Sequence, residues 1–251
     1  MAQTAGVRGD PVASPARRFH GRRKVRLGDV RTSGHLRLDA LTRYTQDVSD
    51  DDTTSGGLDP EPGWIVRRTM VAIGSPAVLG EELEFVTYCS ALGGRWAERR
   101  LDITGSDGAA YEVVTLWVCV DPTTGRPQRL TEQFLALYAS SAEGRTVSAR
   151  LTHPKVPTGA RRRPWPLRAV DFDVYGHVNN AAYWAVFEET FGRLPGPVDE
   201  ASIEYGTGVE PHDDVTLVAE TLDDGSHATW LLGRDGALAA SLLIRSRTTS
   251  S

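Results

Sequence analysis

The chain repeats itself. Arg26, Asp29, Gly34 and His35 recur 142 residues later as Arg168, Asp171, Gly176 and His177. A frame kept at constant spacing over more than half of a 251-residue chain implies one structural unit built twice rather than a single large domain. The second copy of the frame lies within Asp171-Phe-Asp173-Val-Tyr175-Gly176-His177-Val-Asn179-Asn180, where acid, imidazole and two amides meet the start of an apolar stretch with helical spacing. In the first copy Arg31 stands in the place of Asp173 and Leu38 in the place of Asn180. The first copy has therefore kept the frame and lost the chemistry.

Hydrophobic residues make up 40% and charged residues 24%, an ordinary globular balance that permits a sizeable core. Cys89 and Cys119 have no CxxC spacing, so neither a metal cluster nor a disulfide framework is expected; each reads as a small buried hydrophobe in a reducing cytoplasm. No stretch approaches 18 apolar residues and the first residues lack the apolar core of a signal peptide, so the expectation is a soluble, cytoplasmic protein that uses no membrane. Residues 1–18, rich in Ala, Gly, Pro, Arg and Ser, read as a disordered tail. A formal charge of -5 argues against nucleic acid as a partner. Its distribution is uneven, because Gly144 to Arg168 contains seven basic residues, Arg161, Arg162 and Arg163 among them, four prolines and no acid. That stretch reads as a connection between the copies, either a solvated linker or a landing site for an acidic protein.

Each copy is expected to run strand, helix, then a meander of strands. Leu38, Leu41, Thr45 and Val48 share one helical face. Strand-like runs follow at 64–73, 83–90, 95–104 and 110–120, with a hairpin turn at Gly-Ser-Asp-Gly 105–108. The second helix is expected from about Asn180 to Phe191, with Tyr183, Val186, Phe187, Thr190 and Phe191 on one face, Asn180 as N-cap and Gly192 as stop. Its strands fall near 201–206, 215–221, 227–233 and 237–246. A single apolar helix beside an antiparallel meander is best satisfied by a curved sheet wrapped around that helix.

The run D-x-D-x-x-x-H-V-N-N-x-x-Y-W from Asp171 to Trp184 resembles the second-domain signature of the acyl-acyl carrier protein thioesterases. Trp64 with Ile73 and Pro76, Arg95-Trp-Ala-Glu-Arg99, and Trp117-Val-Cys-Val-Asp121 followed by Arg126-Pro127 are similar to first-domain landmarks of that family. The resemblance spans residues 19–246 and implies an α+β fold of two tandem hot-dog domains, each an antiparallel sheet around a central helix. The implied division is an N-terminal domain at 19–140 with a degenerate site, a basic linker at 141–163 and a catalytic domain at 164–248. The implied activity is hydrolysis of the fatty acyl thioester of acyl carrier protein, with no cofactor and the carrier protein as partner; a homodimer is left open.

Hydrolysis of a thioester needs a group that activates water and donors for the developing oxyanion. Asp173 and His177 are candidates for the first, since they lie four residues apart around Gly176, and backbone N-H groups at the following helix start are candidates for the second. Replacement of Asp173 by Arg31 in the inactive copy favours a chemical role for the acid, whereas His35 matches His177 and leaves fixing of the turn as the competing role. Tyr175, Gly176 and Asn179 are candidate substrate contacts. Two departures from the family stand out. Tyr175 replaces an Asn that polarises the carbonyl, and a hydroxyl cannot donate and accept as an amide does. A family Glu expected near Gly208, after Glu204-Tyr205, is absent, which leaves Glu210 as the nearest carboxylate, with an exposed acid before a turn as its competing role. The remaining histidines show no paired metal-ligand spacing, and no G-x-S-x-G elbow or phosphate loop occurs. An acyl-coenzyme A thioesterase, a hydroxyacyl dehydratase-like enzyme and a non-catalytic acyl-binding module are the alternatives.

Overall fold

The computed structural model describes residues 16–58, 63–191 and 198–246. In the first half β1 (Phe19–Lys24) leads through a 3-10 turn at Leu27–Asp29 to α1 (Leu38–Ser55). Four strands follow, β2 (Gly63–Ser75), β3 (Glu82–Leu92), β4 (Trp96–Gly105) and β5 (Ala110–Val120), and then α2 (Glu132–Ala142). The second half begins with β6 (Arg163–Pro164) and 3-10 turns at Ala169–Asp171 and Ala182–Trp184, the latter running into α3 (Ala185–Phe191). It ends with β7 (Val198–Tyr205), β8 (Thr216–Thr221), β9 (His227–Leu232) and β10 (Leu238–Ser246).

All ten strands form one antiparallel sheet in the order β1-β3-β4-β5-β2-β7-β10-β9-β8-β6. Read from the middle outward the order is symmetric, so a pseudo-two-fold axis passes between β2 and β7. Those two strands join the copies edge to edge, with Arg68 opposite Glu204 and Ala72 opposite Glu200. Pairing the two edges in this way leaves neither exposed as a template for aggregation.

Leu38, Leu41, Thr45 and Val48 are all buried, as their spacing requires. One apolar core runs through both halves, from Leu41, Phe85 and Ile103 to Trp184, Phe187 and Ile203. The 105–108 hairpin turn forms, with Gly108 at φ +98°. Cys89 and Cys119 are free and buried, and burial pushes the Cys89 thiol up to about 11.

Four expectations need correction or restriction. The second helix is broken into a 3-10 turn and a short α-helix, and the side chains of Thr190 and Phe191, with Gly192, lie outside the described residues. Residues 1–15 of the expected tail also lie outside them, but Arg17 is held: it donates to the buried Asp52 carboxylate at 2.7 Å, which Arg99 and Tyr138 also reach at 2.6 and 2.7 Å. An unpaired carboxylate at that depth would be costly, so its three donors hold Arg17 in place. The expected linker is not loose either. His153 wedges its ring between Ser241 and Ser202 at 2.9 and 3.0 Å, Glu204 accepts the N-H groups of Thr152 and His153, and Trp230 donates to the Pro154 carbonyl. Val156 and Ala160 pack on the Val218, Trp230 and Leu243 cluster, so the segment is a strap across one sheet face that still leaves Arg161, Arg162 and Arg163 exposed. The fourth concerns Asn180 and is taken up with the site.

Candidate active site

The repeated frame is a repeated piece of backbone. Asp29 accepts the Arg26 N-H at 3.1 Å and Asp171 accepts the Arg168 N-H at 2.8 Å, each closing a 3-10 turn. Arg31 N-H then bonds the His35 carbonyl at 2.8 Å, and Asp173 N-H bonds the His177 carbonyl at 3.0 Å. Gly34 and Gly176 take φ of +83° and +76°, a conformation that side chains resist, which is why both copies keep glycine. The frame therefore sets one loop geometry twice, and the side chains on it decide what each loop does.

In the first copy that loop is plugged. Arg31 reaches across the pseudo-two-fold to Glu188 on α3, donating from Nε and Nη2 at 2.5 and 2.9 Å. The same carboxylate accepts the Leu38 N-H, at the start of α1, at 2.7 Å. Burial opposes the charge on Arg31, but the bond and charge of Glu188 outweigh it and raise its pKa above the arginine norm.

The second copy is open at the matching place. A cleft of about 340 Å³, including its mouth, lies between α1, the 3-10 turn at Ala182–Trp184 and the sheet. Thr42, Gln46 and Ser49 line it from α1, Thr69, Trp117 and Tyr205 from the strands, and Asn180 from the motif loop. The Tyr205 hydroxyl accepts from Trp184 Nε1 and donates to the Asn180 carbonyl, both at 3.1 Å. Burial pushes the Tyr205 pKa well above its ordinary value, so it stays a neutral donor. A second cleft of about 290 Å³ lies on the other side of the same loop, among Trp165, Leu167, Tyr183, Val215 and Leu231.

Of the residues singled out from the sequence, Asp173, Tyr175, Gly176, His177 and Asn179 share the loop, Glu210 lies outside it, and none of the six is among the residues lining the two clefts. Asp173 is half-buried; Oδ1 accepts the Tyr175 N-H at 3.0 Å, and Oδ2 has no hydrogen-bond partner among the described residues. The His177 ring is exposed and lies over Gly208, its Cδ2 only 3.1 Å from where a Cβ would stand. That ring fills the space a carboxylate at position 208 would need. Beyond the backbone bond from the Asp173 N-H to the His177 carbonyl, the side chains of Asp173 and His177 make no hydrogen bond to each other among the described residues. Tyr175 is 82% exposed and lines neither cleft. Glu210 is exposed, and its N-H bonds the Asp213 carboxylate at 2.9 Å.

Asn180 is not the N-cap expected: the 3-10 turn at Ala182–Trp184 is preceded by Ala181 and has no side-chain cap, while Asn179 Oδ1 accepts the Ala181 N-H at 2.9 Å within the preceding turn. The helical segment starts two residues later than expected, at Ala182, and Asn180 lines the cleft. Gln46, Trp117 and Tyr205 were missed by sequence reasoning as site residues. The one signal for Gln46 was the 142-residue offset, which pairs it with Glu188. Among the described residues no cluster of His, Cys, Asp or Glu could hold a metal ion, and no helix is long and apolar enough to cross a membrane.

A tandem pair of hot-dog units with unlike loops is the architecture of a duplicated enzyme of the thioesterase class. The chain belongs to the acyl-ACP thioesterase family: the N-terminal domain model of that family matches residues 17–138 and the C-terminal domain model residues 156–231. It is also 33% identical over 223 residues to uncharacterized proteins from two strains of Mycobacterium tuberculosis, covering 86% of this chain and 88% of the relative. Its fold is similar to that of a 12:0-ACP thioesterase from Umbellularia californica, with 18% identity, TM-score 0.77 and coverage of 92% and 97% of the two chains. An acyl-ACP thioesterase from Bacteroides thetaiotaomicron superposes with TM-score 0.79 at 13% identity, covering 92% and 98%.

Proposed function

We propose that this protein releases free fatty acid from acyl carrier protein in fatty acid biosynthesis in the cytoplasm, using the loop of its second copy. The observation that carries the reading is the opposite fate of two equal loops: Arg31 is locked to Glu188, while Asp173 lies on the loop that leads into the open cleft at Asn180. Water attacks the thioester carbonyl as Asp173, through its free Oδ2, and His177 draw off a proton. A C-O bond forms, the carbonyl oxygen takes the negative charge, and collapse breaks the C-S bond and expels the thiol with that proton. The exposed ring of His177 can swing toward substrate, and catalytic hydrogen bonds tighten when substrate binds. Tyr175, Gly176 and Asn179 form the loop wall that meets the substrate, and Glu210 is the carboxylate available to orient His177.

The exposed Arg161, Arg162 and Arg163 give the acidic carrier protein a docking surface. Opposite charges speed encounter and are screened within about 8 Å in physiological salt. Acid release measured with matched acyl groups on carrier protein and on coenzyme A tests both points. The carrier protein is expected to be preferred, and reversal of all three arginines to Glu should lower kcat/KM for it while sparing a small uncharged thioester. Equal rates on both carriers, unchanged by the reversal, would refute the partner assignment.

A further inference from the structure

We infer that Gln46, on α1 of the first copy, donates its side-chain amide to the thioester carbonyl oxygen in the second copy's site. The inference rests on the function proposed above and adds a residue to it. The pseudo-two-fold relates Gln46 to Glu188, and in the plugged site Glu188 bridges Arg31 and the start of α1. Gln46 lines the open cleft together with Asn180, the counterpart of Leu38. The helix of each copy thus reaches into the loop of the other, and the open site is incomplete without the first copy.

Most hydroxyls around the cleft are already committed. Thr42, Thr45 and Ser49 donate to α1 carbonyls, Thr69 and Thr115 pair at 3.2 Å, and Tyr205 is bonded on both sides. The side-chain amides of Gln46 and Asn180 make no hydrogen bond among the described residues. These two are uncommitted side-chain amides, one from each copy; the indole N-H of Trp117, which also lines the cleft, has no partner among the described residues either, but it is a single donor with no second N-H to offer. The charge of residue 46 also matters. A carboxylate there, as at position 188, would repel an oxyanion, whereas a neutral amide can donate an N-H to it.

During hydrolysis the carbonyl oxygen gains charge as the water C-O bond forms, and loses it when the C-S bond breaks. A donor aimed at that oxygen lowers the barrier in kcat more than it tightens substrate binding. Gln46→Met keeps length and helix propensity without hydrogen bonds, and Gln46→Glu keeps the acceptor and removes the donors. Both are expected to lose about a hundredfold in kcat, with KM within about threefold and thermal stability unchanged. In the infrared, a ketone analogue with methylene in place of sulfur should show its carbonyl stretch lowered in the wild-type complex and restored toward the free value in Gln46→Met. Glu at wild-type rate or above would make residue 46 an acceptor for water and overturn the inference. So would an unshifted stretch, or full activity of Gln46→Met. Wild-type protein inactive on every acyl thioester would instead refute the functional reading, and this inference with it.

Discussion

Glu188→Ala removes three hydrogen bonds at once, two from the Arg31 guanidinium and one from the Leu38 N-H that opens α1. Bonds to charged groups contribute about 1.5–3 kcal/mol each, and breaking a buried pair costs about 3–5 kcal/mol. The Glu188 side chain is 11% exposed, but Arg31 is 36% exposed and can recover part of its hydration, so the sum must be discounted for screening. The expected loss is about 3 kcal/mol, which for a chain of this size lowers Tm by roughly 6–12 °C. A double-mutant cycle of Arg31→Met and Glu188→Gln, read by thermal or urea unfolding, should give a coupling energy of about 1.5–3 kcal/mol. Much of the interface between the copies is backbone pairing of β2 with β7, so the fold should survive all four corners of the cycle. A Tm shift below about 2 °C for Glu188→Ala, or coupling near zero, would refute the reading of the first loop as a structural plug.

The two loop histidines should separate function from architecture. His177 is exposed, so His177→Ala should lower turnover while costing under about 1 kcal/mol of stability; His35→Ala should leave turnover intact, and equal effects from the two changes would make both rings turn-fixing. Burial between Ser202 and Ser241 holds the His153 pKa below the ordinary 6.5, with Glu204 partly opposing the shift. The unfolded chain therefore binds the extra proton first, and stability should fall as pH drops below about 6.5 toward the folded pKa. In His153→Gln that slope should flatten in unfolding titrations between about pH 7 and 5, and an unchanged slope would count against the buried strap.

Much of the fold was legible because duplication and periodicity are local signals. Strands β2 to β5 fall where Val, Ile, Thr and aromatic residues cluster, and the Gly-Ser-Asp-Gly turn closes β4 onto β5. The strand expected before the first helix is β1, but it could not be given bounds because Phe-His-Gly-Arg-Arg-Lys is an edge strand with one polar face, and its charges hide the alternation. α2 did carry a signal, with Thr131 capping Phe134 N-H and Phe134, Tyr138 and Ser141 on one buried face. The repeated loop frame was readable from the 142-residue offset. What α1 contributes to it was not, because the approach of Gln46 to Asn180 depends on the pairing of β2 with β7, which no spacing within one copy reveals.

The central claim is that the second copy is the working one and the first its plugged duplicate. Initial rates of acid release from acyl carrier protein, compared for wild type, Asp173→Asn and Arg31→Ala at equal folded fraction, test it most directly. Loss of a water-activating group predicts a fall of at least about a hundredfold for Asp173→Asn. Arg31→Ala should keep a near-normal rate per folded molecule and lose stability instead. Activity that survives Asp173→Asn and disappears in Arg31→Ala would reverse the assignment of the two loops.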